Sequence, residues 1–396
     1  MTMQKLTPSQ KAFLEECRKG NNLLLTGKPG TGKTFILKYI IDAYLAMGKK
    51  VVIAGATGMA AANLDHGRTI HSILRWNPKQ QVYDAVRCSQ GIKDADLLII
   101  DEVSMLGSGI INHLVSCLNA LDHRPQLVLS GDFFQLPPVR ELLYPFENPN
   151  WATFDLKPCI LREVMRQSDP EYVEMLNRAM LQDRSCLDYF NRRYDGSCDE
   201  QAIFLYTRNA DADRKNAEML RSLPGELKDY PAIGNIKDAV FSNTRIQQTF
   251  YAKEGMRVMT LRNDTSGKYQ NGSLGTITEL KEDSIGILLD NGNEVEIRRC
   301  KYYIDNKNTQ DGPAEIEQFP LRGGNAISIH KSQGQTFDSV NIEAPNCWDP
   351  GQLYVALSRA RNIRGLHLMK RIEPKSLKTD PRVVAYYQRM MRENVA

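Results

Sequence analysis

No apolar run in this sequence is long enough to cross a bilayer as a helix. The opening MTMQKLTPSQ has neither a signal-peptide core nor room for an Arg-rich transit segment, so the expected location is cytoplasmic, or nuclear or organellar in a eukaryotic cell. Cys-x-x-Cys pairs are absent, and no histidine stands at zinc-ligand spacing from Cys17, Cys88, Cys117, Cys159, Cys186, Cys198, Cys300 or Cys347. That argues against a zinc module or a disulfide scaffold and leaves scattered, buried, reduced thiols as the expectation. Strong charge of one sign is lacking too, since 51 Lys and Arg face 47 Asp and Glu for a net +4. A site for a polyanion must therefore come from the local arrangement of charge. Internal repeats and low-complexity tracts are missing as well.

What is present is an ordinary globular composition, 42% hydrophobic and 25% charged over 396 residues, enough for two or three domains. The first 150 or so residues alternate strand-like and helix-like patterns. Apolar runs at Leu23–Leu25, Val51–Ala54, Leu97–Ile100 and Leu127–Leu129 have strand length. Between the first two, Phe35, Ile36, Tyr39, Ile40, Ala43 and Tyr44 follow helical spacing. The pattern predicts a parallel sheet covered by helices on both faces. A second α/β segment is expected from near Leu161, with an amphipathic helix around Glu171–Leu181 and a strand at Ala202–Tyr206. From about Gly255 to Ile304 short alternating runs are broken by turn residues, which predicts an inserted small β-barrel. Asn291-Gly292 reads there as a tight hairpin turn with positive φ at both central residues. Near the end, Asp380 and Pro381 read as the N-cap and first residue of a last helix.

The chemistry begins at TGKPGTGKT, which places Gly27, Gly30, Gly32, Lys33 and Thr34 between a strand and a helix. Such glycines let backbone N–H groups wrap phosphates, and the helix N-terminus adds partial positive charge. Lys33 is expected on the β- and γ-phosphates of a nucleoside triphosphate, ATP or GTP, and the Thr34 hydroxyl on Mg²⁺. LLIIDEVSM ends an apolar run in Asp101 and Glu102, at the strand edge where open sheets bind ligands. Asp101 is the expected second metal residue, and Glu102 the base for the attacking water. Gln10, just ahead of the P-loop strand, has an amide able both to donate to and to accept from an adenine edge. Asp132 and Gln135, in LVLSGDFFQLPPV, are placed to sense the γ-phosphate.

One stretch has another character. ISIHKSQGQTF, Ile327 to Phe337, gathers donors and contains no carboxylate. Phosphate oxygens only accept, so His330, Lys331, Ser332 and the backbone at Gly334 suit a nucleic-acid strand. A polar structural turn is the alternative that the residues alone leave open.

GKPGTGKT, DEVSM, GDFFQLPPV, HKSQGQTF and VALSRA occur in this order, and the set resembles the motifs of superfamily 1B helicases. LREVMRQSDPEYVEMLNRAM resembles the signature segment of the petite-integration-frequency (Pif) family, relatives of RecD and Dda. The likeness runs from Leu6 to about Lys370. It implies an α/β fold of two RecA-like P-loop NTPase domains, 1–158 and 159–254 with 318–396, and a Src-homology-3-like barrel inserted at 255–317. It also implies a DNA helicase that consumes ATP with Mg²⁺, travels 5′ to 3′ on single-stranded DNA, and opens forked or tailed duplex and G-quadruplex DNA. Roles in repair, recombination and telomere maintenance come with the family. A monomer in the absence of DNA is the expected state.

By the same resemblance, the segment His330, Lys331, Ser332 and Gln333 lies on the single-stranded DNA, and Thr57, Gly58 and His71 in the first domain are DNA contacts as well. Arg359 in YVALSRA and Arg166 in VMRQ resemble arginine fingers on the γ-phosphate. The insertion Leu74–Gly91 stands where relatives carry a pin, with Trp76 and Pro78 as wedge residues. A translocase that does not separate strands, and a DNA-binding module with a degenerate ATPase, are the rival readings.

Overall fold

The computed structural model describes residues 6–62, 64, 67–76, 84–139, 141–165, 169–234, 246–264, 267–304, 314–345 and 347–393. The chain forms two compact units, one of Met1–Thr207 with Ser328–Ala396 and the other of Arg208–Ile327.

The first unit is built on a parallel sheet of β1 (Leu23–Gly27), β2 (Val51–Gly55), β3 (Arg68–Thr69), β4 (Leu97–Asp101), β5 (Gln126–Gly131) and β6 (Lys157–Leu161). Their order is β3-β2-β4-β5-β1-β6. Every residue of β1 and β4 is buried, as continuous apolar strands covered on both faces require. Leu161, expected to open a second segment, instead ends β6, which pairs in parallel with β1 from Lys157 beside Leu23 to Leu161 beside Gly27. The helix Lys33–Ala46 buries Ile36, Leu37, Ile40, Ile41 and Tyr44, while Phe35 and Tyr39 are 40% and 45% exposed. The inward stripe thus lies about one residue off the one read from spacing, because its branched aliphatics face the sheet. A second set of parallel strands, Ile203–Tyr206, Val340–Ile342 and Leu366–Leu368, belongs to the same unit.

The second unit is antiparallel. Its main sheet runs Glu294–Arg298, Ser284–Leu289, Leu274–Leu280, Arg257–Thr260 and Leu321–Gly323. Tyr230 and Phe250 share its apolar core with Val258, Ile277, Ile285 and Phe319, so the packing begins upstream of Gly255. These aromatics sit on strands Lys228–Pro231 and Thr249–Ala252, which pair with each other across an intervening stretch. The hairpin at Asn291-Gly292 differs from the tight turn expected. Gly292 alone has positive φ, its N–H donates to Leu289, and Leu289 donates to the Asn293 carbonyl. A type I turn closed by one left-handed glycine needs no strain at Asn291.

The last helix, Pro381–Glu393, starts as its sequence indicates, with the Arg382 N–H donating to the Asp380 carboxylate. Cys17, Cys88, Cys117, Cys186 and Cys347 are buried, but Cys198 is exposed, contrary to the expectation for all eight. Among the described residues no helix is long and apolar enough to cross a membrane.

Candidate functional site

β1 delivers the chain into the P-loop, where Gly27, Gly30 and Gly32 all have positive φ, at 157°, 81° and 83°. At Gly32 a side chain is excluded twice over, because a Cβ would also lie 2.8 Å from the Gln10 amide nitrogen. Lys33 folds back on the loop and donates to the Gly27 carbonyl at 2.6 Å. Thr34 follows it, half-buried in the first turn of the helix. Beyond β6 the chain returns over the loop, and the Met165 N–H donates to the Gly30 carbonyl at 2.7 Å.

Gln10 is almost wholly buried. Its carbonyl oxygen accepts from the Thr7 N–H at 3.1 Å, and its NH₂ reaches the Thr31 carbonyl at 3.5 Å. Its amide therefore joins a helix cap to the P-loop, and its expected use on an adenine edge is not what these contacts display.

Asp101 and Glu102 stand at the carboxyl end of β4, both buried. Burial, reinforced by the Glu102 charge, raises the Asp101 carboxyl above its usual range, and nearby Lys33 works against that rise. Glu102 occupies the left-handed region at φ 55°, which a residue with a side chain adopts only when its surroundings impose it. Its Oε2 accepts from the Gln333 amide at 2.9 Å.

Asp132 directly follows the adjacent strand β5 and is also buried, which raises its pKa. It accepts from the Phe134 N–H at 3.0 Å, and the Gln135 amide and the Tyr354 hydroxyl each lie 3.5 Å away. The Gln135 carbonyl oxygen is buried with no partner among the described residues. Tyr387, on the last helix, places its hydroxyl 2.6 Å from that of Thr26 on β1 and 3.4 Å from the Asp132 carboxylate.

The turn expected to lie on a strand joins this set through Gln333. His330 and Lys331 are half-buried, and the His330 ring nitrogen is 3.6 Å from Asp349. Burial lowers the His330 pKa, with Asp349 opposing. Ser332 is fully buried and donates to the Ile329 carbonyl at 2.8 Å, so its hydroxyl is not presented for contact. Gly334 has φ 79° and closes the turn. Arg359, expected as a finger, is instead 2% exposed, with its guanidinium donating to the carbonyls of Val355, Ser332 and Gln335 at 2.8, 3.2 and 2.8 Å. Packing at the helix Gln352–Leu357 turned it inward, where it braces the 332–335 turn. Arg166 and Pro78 lie outside the described residues.

In the other group, Thr57 caps the short helix Gly58–Ala62, its hydroxyl accepting from the Ala60 N–H at 3.1 Å. His71 is half-buried with its pKa lowered by burial, and its ring centroid is 5.1 Å from that of Trp76. Trp76 lies over Gly109, where a Cβ would come within 2.9 Å of its ring. Its ring packs on the helix that carries Gly109 and stays partly exposed.

Sequence reasoning missed Tyr354 and Tyr387, and it missed the pairing of Gln333 with Glu102. Nothing local marks these residues, since their partners are 222, 361 and 231 positions away.

The family described as "AAA domain" matches residues 5–193. The ATP-dependent DNA helicase PIF1 of Emericella nidulans is 29% identical over 470 residues, a span that takes in 97% of this chain and 63% of the fungal protein's length. A Bacteroides Pif1 helicase solved in complex with ADP-AlF3 and single-stranded DNA is 28% identical, with a TM-score of 0.83 and 98% of each chain covered. A double mutant of a Bacteroides Pif1 helicase is 30% identical over 100% of this chain and 99% of that one, with a TM-score of 0.70. With the P-loop, the acidic pair and the 330–335 turn drawn together in one unit, the chain belongs to the Pif1 family of DNA helicases.

Proposed function

We propose that this chain is an ATP-driven DNA helicase that moves 5′ to 3′ on single-stranded DNA and opens forked or tailed duplex, with G-quadruplex DNA as a further substrate. The observation that carries the reading is the convergence of Lys33, Asp101, Glu102 and Gln135 at the carboxyl ends of neighbouring strands, with the 330–335 turn bonded to Glu102. The nucleotide- and DNA-bound relative supports it.

Lys33 exchanges its carbonyl partner for phosphate oxygens when ATP enters, and the P-loop N–H groups surround those oxygens. Glu102 accepts the proton of the attacking water, and the orphaned Gln135 oxygen offers that water a second acceptor. The donor set fits magnesium, a hard cation that takes oxygen ligands: Asp101 is a buried carboxylate whose charge is costly without a cation, and Thr34 supplies a hydroxyl. When bound, the ion neutralises charge on the phosphate oxygens.

On the strand side, His330 and Lys331 grip phosphates while Arg359 keeps their turn rigid. The antiparallel second unit supports assigning the Src-homology-3-like barrel to it. The two parallel sheets are assigned to two RecA-like domains, and the chain acts as a monomer before it meets DNA.

Single-turnover unwinding of duplexes bearing a 5′ or a 3′ single-stranded tail, with ATP and Mg²⁺, tests the proposal. Opening of the 5′-tailed duplex alone is the expected result. ATP consumption with both duplexes left closed would reduce the activity to translocation, and opening of the 3′-tailed duplex would reverse the polarity.

A further inference from the structure

Glu102 is held by its backbone in the left-handed region and is 8% exposed. Of its carboxylate oxygens, Oε2 takes the Gln333 amide at 2.9 Å. Gln333 is itself 4% exposed, and its own carbonyl oxygen is buried with no partner among the described residues. Keeping such an acceptor unsatisfied is unfavourable, and an apolar side chain of the same length would avoid it. What the glutamine contributes here is the donor, aimed at one oxygen of the acid.

The turn that carries Gln333 is fixed on both sides. Arg359 donates to the carbonyls of Ser332 and Gln335, the residues flanking Gln333 and Gly334. Gln333 also stands two positions beyond Lys331 on the same short turn, so a displacement of that turn reaches Glu102 through a single hydrogen bond.

We infer that Gln333 is a positioning residue for ATP hydrolysis: its amide sets the orientation of the Glu102 carboxylate, leaving Oε1 toward the attacking water, and ties that orientation to the strand-facing turn. The inference rests on the reading of Glu102 as the hydrolytic base. It gives Gln333 no contact with nucleotide or DNA, so substrate affinities should not depend on it.

The test is steady-state ATP hydrolysis by the full chain with saturating oligo-dT and Mg²⁺. Wild type is compared with Gln333→Met, which keeps length and loses the donor, and with Gln333→Glu, which keeps shape and sets a second carboxylate against Glu102. A hydrogen bond to an ionised group corresponds to a roughly 10- to 100-fold fall in kcat for Gln333→Met, with Gln333→Glu at least as slow. KM for ATP, oligo-dT affinity and melting temperature should stay near wild type. In a Glu102→Gln background, Gln333→Met should slow the residual rate no further, because it acts through the missing group.

Wild-type kcat in Gln333→Met overturns the inference, as does a loss that adds in full to that of Glu102→Gln. If both variants melt early and bind ATP and oligo-dT poorly, the glutamine is structural and the inference also falls. A wild-type chain that does not hydrolyse ATP removes the reading of Glu102, and this role with it.

Discussion

The Tyr387 hydroxyl sits 2.6 Å from the Thr26 hydroxyl, bringing the last helix of the chain onto the strand that feeds the P-loop. The same hydroxyl lies 3.3 Å from the Phe133 N–H and 3.4 Å from the Asp132 carboxylate. Phe133 and Phe134 pack against the Tyr387 ring at centroid distances of 6.5 and 4.7 Å. One side chain thus ties β1 to the segment that follows β5, and it does so beside the candidate ATP site.

Tyr387→Phe keeps the ring and removes the hydroxyl, leaving Asp132 and the Phe133 N–H short of a buried partner. The expected loss is about 1–3 kcal/mol of stability, seen as a lower midpoint in urea with unchanged slope. ATP turnover should fall as well, since Asp132 and Gln135 share the network. An unchanged midpoint would mean that the hydroxyl contacts contribute nothing net.

Lys331→Ala should weaken oligo-dT binding uniformly across sequences, since a phosphate contact carries no base information. The slope of log affinity against log salt should become shallower by about one, the signature of one counterion no longer released. Fluorescence anisotropy at several salt concentrations measures it. The same slope in both proteins would place Lys331 off the strand.

How far the sequence speaks depends on how far apart the partners are. Gly27 to Thr34 and Asp101-Glu102 were readable because each motif is a continuous stretch attached to an apolar strand, and their positions at β1 and β4 follow from that run alone. The P-loop helix was readable in extent, but its inward stripe was set by the sheet beneath it. Residue type did not reveal direction. Ser332 and Arg359 have the right chemistry for a strand and a phosphate, yet packing turned both inward to bond with neighbouring carbonyls. Gln10 has the amide an adenine edge needs, but nothing in KLTPSQKAF discloses that this amide is buried against the P-loop. Tyr387 on Thr26 and Gln333 on Glu102 depend on the whole tertiary fold, which no local pattern encodes.

Glu16 offers a pH test remote from the site. Lys157 foremost, with Lys19 and the Asn21 amide, holds its carboxyl at about 2, below the usual 4.5. A depressed acid stabilises the folded chain above its unfolded pKa, and that stability is lost as pH falls toward the folded value. Wild type should therefore be more stable than Glu16→Gln at neutral pH, by under about 1 kcal/mol because the pair is solvent-screened. The gap should narrow progressively below the usual carboxylate value of 4.5. Melting temperatures of both proteins across that range decide it, and a gap that widens on acidification would contradict the assignment.

Gly351 and Gly48 share a left-handed backbone, with φ 75° and 72°, and differ in what surrounds them. A Cβ on Gly48 would meet nothing within 4 Å, whereas one on Gly351 would lie 2.4 Å from the Phe134 carbonyl and 2.6 Å from that of Gln135. Alanine at either position incurs the conformational penalty of about 1–2 kcal/mol. At Gly351 the backbone of the 134–135 segment must also give way, because neither carbonyl is the movable end of a side chain. Gly351→Ala should thus lose clearly more stability than Gly48→Ala in urea denaturation, by about 1 kcal/mol or more. It should also slow ATP turnover, since the displaced segment carries Gln135, while Gly48→Ala leaves turnover unchanged. Equal losses in the two variants would show that the Gly351 contact relaxes at no cost, and the close approach would then explain nothing about why glycine stands there.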